Sequence, residues 1–465
     1  MRIEDTDRER YVPESVGHII EALDWLGLTP DNKDNIVVQS ERLELYKKYA
    51  FELLEKGQAY VCVCSKEKLA ADRERQMSEK KPPRYEGHCR NLNLKISDIS
   101  GNPLTQRAEQ SSHDGKEFVI RMKMPEQGSI TVNDLIRGEV IFDLSLFDDQ
   151  VLLKSDGYPT YHLASVIDDH EMNITDVIRA EEWLPSTPKH LLLYQMFGWK
   201  APNFAHLPMI LAPDRSKLSK RRGATGVFEY KKMGYLPDAI LNFIALLGWH
   251  LPDRPRPKVG IPTSLSENHN SSSGEIFSLA ELIKEFSLDR VQKSGAIFDV
   301  KKLNWLNAQY IKNKPESELL EKIKSLYGEK MIANENFAEK ILKIGKNRLE
   351  KLSDFQEFQN SFQLSGYGAD LLIWKNTPKE QILENLRKSG ECLKIILLDE
   401  FIQANLEKYL MTLTDSAGRG EVLWPLRVAL SGKDKSPGPF EIMDIIGKEE
   451  SLRRIEIAIQ KLETE

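Results

Sequence analysis

The sequence contains no long run of apolar residues and few cysteines. None of its 465 residues falls in an apolar stretch near the roughly 18 residues that a membrane-spanning helix needs, so no membrane span is predicted. The first residues are too charged for a signal peptide and too acidic for a transit peptide. Four cysteines in a chain of this length do not make a disulfide framework. A reducing compartment, with the cytoplasm as the default, is therefore the expected location.

An excess of basic residues is also missing. Lysine and arginine number 65 against 71 aspartates and glutamates, and the formal net charge is −6. A nucleic-acid partner would therefore need local basic patches, because the overall field is unfavourable. The apolar fraction of 40% is enough for real hydrophobic cores. The length predicts about two to four domains.

A basic loop is the first candidate for function. Between Asp214 and Arg222 the chain carries five basic residues and one acid, and Pro213 indicates a loop rather than a helix interior. Such a loop suits a polyanion that is held and then released, because lysines supply mobile point charges. Ser219 can add a hydroxyl hydrogen bond. An ordinary solvated surface loop is the alternative interpretation.

Three of the four cysteines fall in one short unit. Cys62 and Cys64 form a C-x-C pattern within a strand-like stretch, and 24 residues separate Cys64 from Cys89. Thiolates at this spacing bind Zn²⁺ if a fourth ligand completes the tetrahedron. Tyr85 and His88 are the local candidates for that ligand. Buried free thiols are the alternative interpretation.

The first half of the chain is predicted to be α/β. Strands are expected at residues 118–123, 140–143, 151–153 and 176–179, the last as part of a parallel sheet. Polar and aromatic residues crowd between 154 and 170, at a predicted strand-to-helix transition. Active sites of open α/β sheets collect at such strand ends. A well-capped turn is the alternative.

The second half is predicted to be helical. A Pro-, Ser- and Asn-rich stretch at residues 252–274 is expected to be a flexible surface loop. No strand is predicted after this loop, and a generic helical interaction module is one interpretation of the remaining residues. Apolar spacing predicts helices at 279–286, 301–310, 317–327, 337–356, 379–388, 392–408, 423–430, 440–446 and 449–462.

Several of these stretches together resemble bacterial-type glutamyl-tRNA synthetase, a class I enzyme. The likeness covers nearly the whole chain, and the order and spacing of the motifs make it specific. The motifs are R-I-E-D-T-D-R at residues 2–8, L-L-K-S-D-G-Y-P-T-Y-H-L at 152–163, I-R-A-E-E-W at 178–183, S-T-P-K-H at 186–190, K-L-S-K-R at 217–221 and P-L-R-V-A-L at 425–430.

The resemblance implies an α/β fold, a class I aminoacyl-tRNA synthetase Rossmann-like catalytic domain with an α+β acceptor-arm insertion, followed by an all-α anticodon-binding domain. The implied division is 1–56 and 160–212 for the catalytic domain, 57–159 for the acceptor-binding insertion, 213–310 for a stem-contact region with the K-L-S-K-R loop, and 311–465 for the anticodon-binding domain.

The catalytic domain is expected to be N-terminally incomplete. The family carries a strand and a P-S-P-T-G-x-x-H-x-G segment ahead of R-I-E-D-T-D-R, and this chain starts at that motif. The expectation is that the 465-residue chain does not aminoacylate tRNA alone. A second expectation is that the missing segment is encoded in frame upstream.

The resemblance also implies an activity with its cofactors and partners. The implied reaction is ATP-dependent activation of glutamate to glutamyl-adenylate, with Mg²⁺, and transfer to the 3′ end of tRNA-Glu. Zn²⁺ is a further candidate, tRNA-Gln a further candidate substrate, and a monomer is expected. The alternatives are a non-catalytic tRNA-binding relative and a glutamyl-queuosine-type enzyme. The latter has no anticodon-binding domain, and the helical second half speaks against it.

Individual roles follow from the motif positions. Arg179 is expected to fork onto the glutamate side-chain carboxylate, and Ser165 stands where an asparagine is common in the family. The implied glutamate-binding residues are Glu4, Tyr161, Ser165, Arg179 and Trp183. The implied ATP-binding residues are Glu182, Leu218 and Lys220, and the implied catalytic residues are Lys217, Ser219, Lys220 and Arg221. The implied tRNA-binding residues are Arg348 and Arg427, and the implied metal ligands are Cys62, Cys64, Cys89 and Tyr85.

Overall fold

A computed structural model describes residues 1–8, 12–94, 118–218, 226–250, 274–328, 332 and 334–464. The chain divides into two compact units, Met1–Ala224 with Ile244–Phe298 and Thr225–Phe243 with Asp299–Glu465. Each unit is built around its own hydrophobic core. Among the described residues, no helix combines the length and apolar character that a membrane crossing requires.

The first unit contains short strands in four sheets. Strands β8, β9 and β5 run parallel in a four-stranded sheet that β6 completes as an antiparallel edge. Strands β3, β4 and β7 form an antiparallel sheet, and β1–β2 and β10–β11 are parallel pairs. The strands are β1 (Arg2–Ile3), β2 (Val37–Val38), β3 (Ala59–Cys62), β4 (Val119–Met122), β5 (Ser129–Asp134), β6 (Gly138–Asp143), β7 (Val151–Leu153), β8 (Asp176–Ala180), β9 (Asn203–Leu207), β10 (Ile210–Leu211) and β11 (Ala296–Ile297).

Helices accompany the sheets and make up the core of the second unit. Helices α13, α15 and α16 pack on one another there. The helices are α1 (Ser15–Trp25), α2 (Leu43–Glu55), α3 (Lys66–Ser78), α4 (Tyr161–Glu171), α5 (Thr187–Phe197), α6 (Val227–Lys232), α7 (Pro237–Leu246), α8 (Leu279–Glu285), α9 (Val300–Asn313), α10 (Glu316–Tyr327), α11 (Glu335–Gly345), α12 (Asp354–Asn360), α13 (Lys379–Ile395), α14 (Gln403–Ala417), α15 (Arg419–Ser431) and α16 (Pro439–Thr464).

The four-stranded sheet positions the candidate site. Along β5 buried and exposed positions alternate, as the two-residue repeat of a strand requires, and the last buried position is Asp134. The register of β8 on β9 places Arg179 opposite His206. Because parallel strands end at the same edge of a sheet, these polar side chains meet at the carboxyl ends of their strands.

All four predicted strands of the first half are confirmed, and four others, β2, β5, β9 and β10, were not predicted. The predictions at 118–123, 140–143, 151–153 and 176–179 correspond to β4, β6, β7 and β8. Strand β8 is parallel to β9, as expected. Strands β5 and β9 were missed. The alternation along β5 is the signal that could have identified it.

The predicted continuous helix at 337–356 is wrong. Helix α11 ends at Gly345, a 3-10 turn covers Lys346–Arg348, and α12 begins at Asp354. The chain turns back here so that Phe358 of α12 packs against Gly345. A Cβ built on that glycine would lie 1.9 Å from the Phe358 ring, so the close approach depends on glycine.

The predicted helix at 392–408 is also wrong, since it joins the end of α13 to the start of α14. Ile396 and Phe401 in the intervening segment are buried in the core of the second unit. The apolar pattern therefore continues through residues that are not helical. The two helices predicted at 440–446 and 449–462 are confirmed within α16, where Gly447 has non-helical backbone angles.

Candidate active site

The centre of the candidate site is the guanidinium of Arg179, near the end of β8. Its Nη1 lies 3.2 Å from the hydroxyl of Tyr161, the first residue of α4. The rings of Tyr161 and Trp183 are 4.5 Å apart, and the Arg179 guanidinium lies 5.9 Å from the Trp183 ring. The structure thus brings together three of the residues expected to bind glutamate.

Arg179 is heavily hydrogen-bonded to the protein. Its Nε donates to His206 Nε2 at 3.1 Å, and its Nη2 donates to Thr187 Oγ1 at 2.9 Å. Its Nη1 donates to Tyr161 and, at 3.4 Å, to His190 Nδ1. Arginine has five N–H donors, so within the described part of the chain a single N–H, on Nη2, has no acceptor. The expected bidentate fork from Arg179 onto the glutamate carboxylate stays a prediction.

The acceptors around Arg179 are themselves held by buried partners. His206 Nδ1 lies 2.6 Å from Asp134 Oδ2, and both side chains are fully buried. His190 Nε2 lies 2.9 Å from His162 Nδ1. Burial and the nearby positive charge of Arg179 hold the pKa values of His190 and His206 below the ordinary value. Burial lowers the pKa of His162 to about 4. All three imidazoles are therefore neutral near pH 7.

Ser165 and Glu4 differ in their surroundings. Ser165 lies one helical turn after Tyr161 and is only 3% exposed. Its hydroxyl has no hydrogen-bond partner among the residues that the structure describes. Glu4 is bound by Arg2, whose Nη2 donates to Glu4 Oε1 at 2.8 Å. Arg2 also donates to Asp169 at 2.7 Å, so Glu4 belongs to a small ion-pair cluster.

The basic loop starts from a short antiparallel bridge. Leu218 N donates to Ile210 O at 3.1 Å, and an isolated bridge pairs Lys217 with Leu211. Lys217 forms an ion pair with Glu182, and both side chains are exposed. Two residues with expected roles in ATP binding and catalysis therefore lie together. The remaining predicted loop residues, Ser219, Lys220 and Arg221, lie outside the described residues.

The cysteine unit forms a compact cluster. The Sγ atoms of Cys64 and Cys89 are 3.6 Å apart, and the Tyr85 hydroxyl lies 3.3 Å from Cys62 Sγ and 3.8 Å from Cys64 Sγ. Four ligands about 2.0–2.3 Å from a zinc ion are separated by distances of this size. The three thiols and the phenol therefore fit a tetrahedral Zn²⁺ site.

His88, the other candidate for the fourth ligand, is engaged elsewhere. Its Nε2 lies 2.9 Å from Asp72 Oδ2, and a second carboxylate, Glu86, lies 3.7 Å away. Tyr85 is instead held toward the cysteines by the guanidinium of Arg121, which lies 3.8 Å from its ring centroid. The geometry thus favours Tyr85 over His88 as the partner of the three thiols.

The two predicted tRNA-binding arginines lie in the second unit. Arg348 forms a 2.5 Å ion pair with Glu441 and lies 5.6 Å from the Phe358 ring. It lines a cavity of about 470 Å³ together with Phe358. Arg427 lies 4.8 Å from the ring of Trp424. Each arginine thus stands beside an aromatic ring, an arrangement that can also receive an unpaired base.

Four residues of the site were not predicted as functional. Asp134 and His206 lie on the strands that sequence reasoning missed, while Thr187 and His190 lie inside a matched motif to which no roles were assigned. Strand β9 shows no alternation, since Phe204, Ala205 and His206 are all buried, so no sequence pattern pointed to His206. Nothing local indicated that it would meet Arg179.

Comparison with known proteins agrees with this architecture. Residues 1–305 match the family of class I tRNA synthetases (E and Q), catalytic domain, and residues 317–459 match an anticodon-binding domain. Fold and site together therefore define a class I aminoacyl-tRNA synthetase. The chain belongs to the glutamate–tRNA ligase family, because two proteins of that name are 40% and 42% identical to it over 99% of its length.

These relatives are similar over almost the full length. Glutamate–tRNA ligase 2 of Thermoanaerobacter pseudethanolicus is 40% identical over 99% of this chain and 90% of its own length. Glutamate–tRNA ligase of Dehalococcoides mccartyi (strain CBDB1) is 42% identical with the same coverage. A crystal structure of a glutamate tRNA ligase from Elizabethkingia meningosepticum in complex with its amino acid has a TM-score of 0.81. It is 33% identical and covers 99% of this chain and 92% of the other.

Proposed function

We propose that this chain ligates glutamate to tRNA-Glu at the expense of ATP. The glutamate α-carboxylate attacks the α-phosphate of ATP, pyrophosphate leaves, and the glutamyl group passes to the 3′-terminal adenosine. The observation that carries the proposal is the family relation across both the catalytic and anticodon-binding parts. Mg²⁺ accompanies ATP through its phosphates. The chain acts as a monomer, and tRNA-Gln is a second candidate substrate.

Glutamate is held by donors that Arg179 and Tyr161 still offer. The remaining N–H on Arg179 Nη2 and the Tyr161 hydroxyl can both donate to the side-chain carboxylate. The unpartnered Ser165 hydroxyl lies one turn further along the same helix. Trp183 lies beside Tyr161, with the two rings tilted by 44°, and contributes an apolar face to the glutamate site. Glu4 accepts from the substrate ammonium group through Oε2, since its hydrogen bonds to Arg2 use Oε1.

ATP is bound by the basic loop and its neighbours. Lys217 exchanges the carboxylate of Glu182 for a phosphate, while Leu218 and Glu182 line the nucleotide site. Lys220, with Ser219 and Arg221, stabilises the charge that develops on the leaving pyrophosphate. Because no covalent nucleophile is needed, positioning and charge carry the step.

The proposed role of the basic loop is tested by Lys220→Ala. Loss of one charge-stabilising group is expected to slow adenylate formation on the order of 10²-fold, with little change in the affinity for glutamate. The measurement is ATP–pyrophosphate exchange in the presence of tRNA. Lys232→Ala is the control, because Lys232 pairs with Glu229 on α6. An unchanged exchange rate would contradict the proposal.

The remaining segments contact tRNA. The insertion at 57–159 contacts the acceptor arm, residues 213–310 the stem, and residues 311–465 the anticodon. Cys62, Cys64, Cys89 and Tyr85 hold one Zn²⁺ that fixes the insertion and takes no part in the chemistry. Arg348 and Arg427 bind tRNA, with Arg348 reading an anticodon base beside Phe358.

A further inference from the structure

A buried chain of hydrogen bonds runs behind the candidate glutamate site. It connects the carboxylate of Asp134 to His206, and His206 to the Nε of Arg179. Asp134 and His206 are fully buried as side chains, and neither lies at the surface of the site. Their strands meet here, because β5 and β8 both pair with β9. The pair therefore contacts Arg179 at Nε, whereas the N–H that remains for a substrate is on Nη2.

The hydrogen bonds determine which nitrogen of His206 carries the proton. Arginine only donates, so His206 Nε2 has to accept from Arg179. In the neutral ring the proton is then on Nδ1, from which it is donated to Asp134 Oδ2. The other oxygen, Asp134 Oδ1, accepts from the backbone N–H groups of Ile136 and Arg137 in the β5–β6 turn. The carboxylate is thus fixed in place and so fixes the tautomer of the imidazole.

The same reasoning applies to the second histidine. His190 Nδ1 accepts from Arg179, so its Nε2–H donates to His162 Nδ1. Thr187 Oγ1 accepts another hydrogen bond, from Arg179 Nη2. The guanidinium is thereby held by acceptors on four side chains of the protein, those of Tyr161, Thr187, His190 and His206. One Nη2–H and the hydroxyl of Tyr161 remain as outward donors.

We propose that Asp134 and His206 are positioning residues for glutamate selection, acting through the orientation of Arg179. The inference rests on the proposed function. A side-chain carboxylate offers only acceptors to the outward donors, whereas the amide of glutamine also presents an N–H₂ group. A correctly turned guanidinium therefore favours glutamate over glutamine. Without the acceptor on His206, the Arg179 guanidinium is no longer held in this orientation, and the preference for glutamate over glutamine falls.

The decisive variant is Asp134→Asn in the 465-residue chain. The asparagine Oδ1 can keep the backbone hydrogen bonds, while its N–H₂ group replaces Oδ2 and donates to His206 Nδ1. That donation moves the histidine proton to Nε2, where it opposes the Nε–H of Arg179. ¹⁵N-histidine NMR is expected to show the Nδ1–H tautomer in the original protein and the Nε2–H tautomer in the variant.

Binding is measured by calorimetry with L-glutamate and L-glutamine as probes. Asp134→Asn is expected to weaken glutamate binding roughly 10- to 100-fold, as loss of an orienting partner does at other sites, and to lower the glutamate-to-glutamine preference. Asp176→Asn is the matched control, because Asp176 accepts from Asn203 across β8 and β9 but does not contact the Arg179 network. It is expected to leave both affinities and the His206 tautomer unchanged.

A second variant separates positioning from simple folding. His206→Gln places an amide oxygen where Nε2 stood, so Arg179 keeps its acceptor without help from Asp134. Glutamate binding should be largely retained, and Asp134→Asn should have no further effect in that background. A role in stability alone would instead give additive losses. This variant also decides the question if Asp134→Asn alone fails to fold.

Each outcome supports or overturns the inference. An Nε2–H tautomer in the original protein, or unchanged glutamate affinity in Asp134→Asn, overturns it. A protein that binds glutamate normally in both variants contradicts only the positioning role. If the unsubstituted protein does not bind L-glutamate, the proposed function itself is wrong, and with it the positioning role of Asp134 and His206.

Discussion

At the residue scale, the neutral histidines around Arg179 make the first unit sensitive to acid. The folded pKa of His162 is about 4 because of burial, followed by repulsion from Lys189 and Arg179, whereas the ordinary value is 6.5. Between these values the unfolded chain binds more protons than the folded chain. The contribution of neutral His162 to the free energy of unfolding is therefore complete above about pH 6.5. It is lost as the pH falls toward about 4, at about 1.4 kcal/mol per pKa unit.

We accordingly expect the melting temperature of the first unit to fall between about pH 7 and about pH 4.5. His162→Asn is the control, since the asparagine Oδ1 can still accept from His190 Nε2. The asparagine side chain does not titrate. The melting temperature of this variant should depend less steeply on pH over the same window. Equal pH dependence in the two proteins would show that His162 does not contribute.

A second residue-scale prediction concerns Arg348. Its guanidinium lies between Glu441 and the Phe358 ring, so it can exchange the carboxylate for a base edge while remaining near the aromatic face. Arg348→Gln is expected to reduce the preference for tRNA-Glu over tRNA-Gln, by about 1–3 kcal/mol if one bidentate base contact is lost. Relative charging or binding of the two tRNAs measures it.

Arg387→Gln is a matched control for that experiment, because Arg387 forms a similar ion pair with Glu463 on the same unit. An unchanged tRNA preference in Arg348→Gln, with normal binding of both tRNAs, would mean that the residue is an ordinary solvated charge.

At the element scale, the cysteine cluster ties strand β3 to the segment after α3. Cys62 ends the strand and Cys89 comes after the helix, so one ion would close a loop between them. We expect about one Zn²⁺ per chain after purification without added metal or chelator. Cys64→Ala should lose the metal and lower the melting temperature of the first unit.

Elemental analysis decides this prediction. Cys392→Ala is the matched control, since this cysteine lies on α13 in the second unit and should leave the zinc content unchanged. Less than about 0.2 Zn²⁺ per chain in the original protein would mean three ordinary buried thiols.

At the scale of the whole molecule, two separate cores predict two unfolding transitions. Gly345→Ala forces a Cβ into the Phe358 ring and should destabilise only the helical unit, by about 1–3 kcal/mol. Gly17→Ala is the control, because a Cβ there meets nothing within 4 Å and α1 gains helix propensity. Calorimetry should show that Gly345→Ala and zinc removal shift different transitions. One transition shifted by both would contradict the prediction.

The sequence by itself determined what depends on local pattern. Apolar spacing indicated the helical second half, and the motif order indicated the family that the comparisons then showed. The ends of helices were harder to predict from the sequence, because buried apolar residues such as Ile396 and Phe401 continue a helical pattern through a segment that is not helical.

Only the tertiary structure decided which residues meet. Asp134, Arg179 and His206 lie far apart in the chain and come together through the pairing of β5, β9 and β8. The sequence indicated that Arg179 could bind a carboxylate, but not that protein acceptors already occupy most of its donors. Side-chain hydrogen bonds are short and directional, so they depend on the register of strands rather than on local residue pattern.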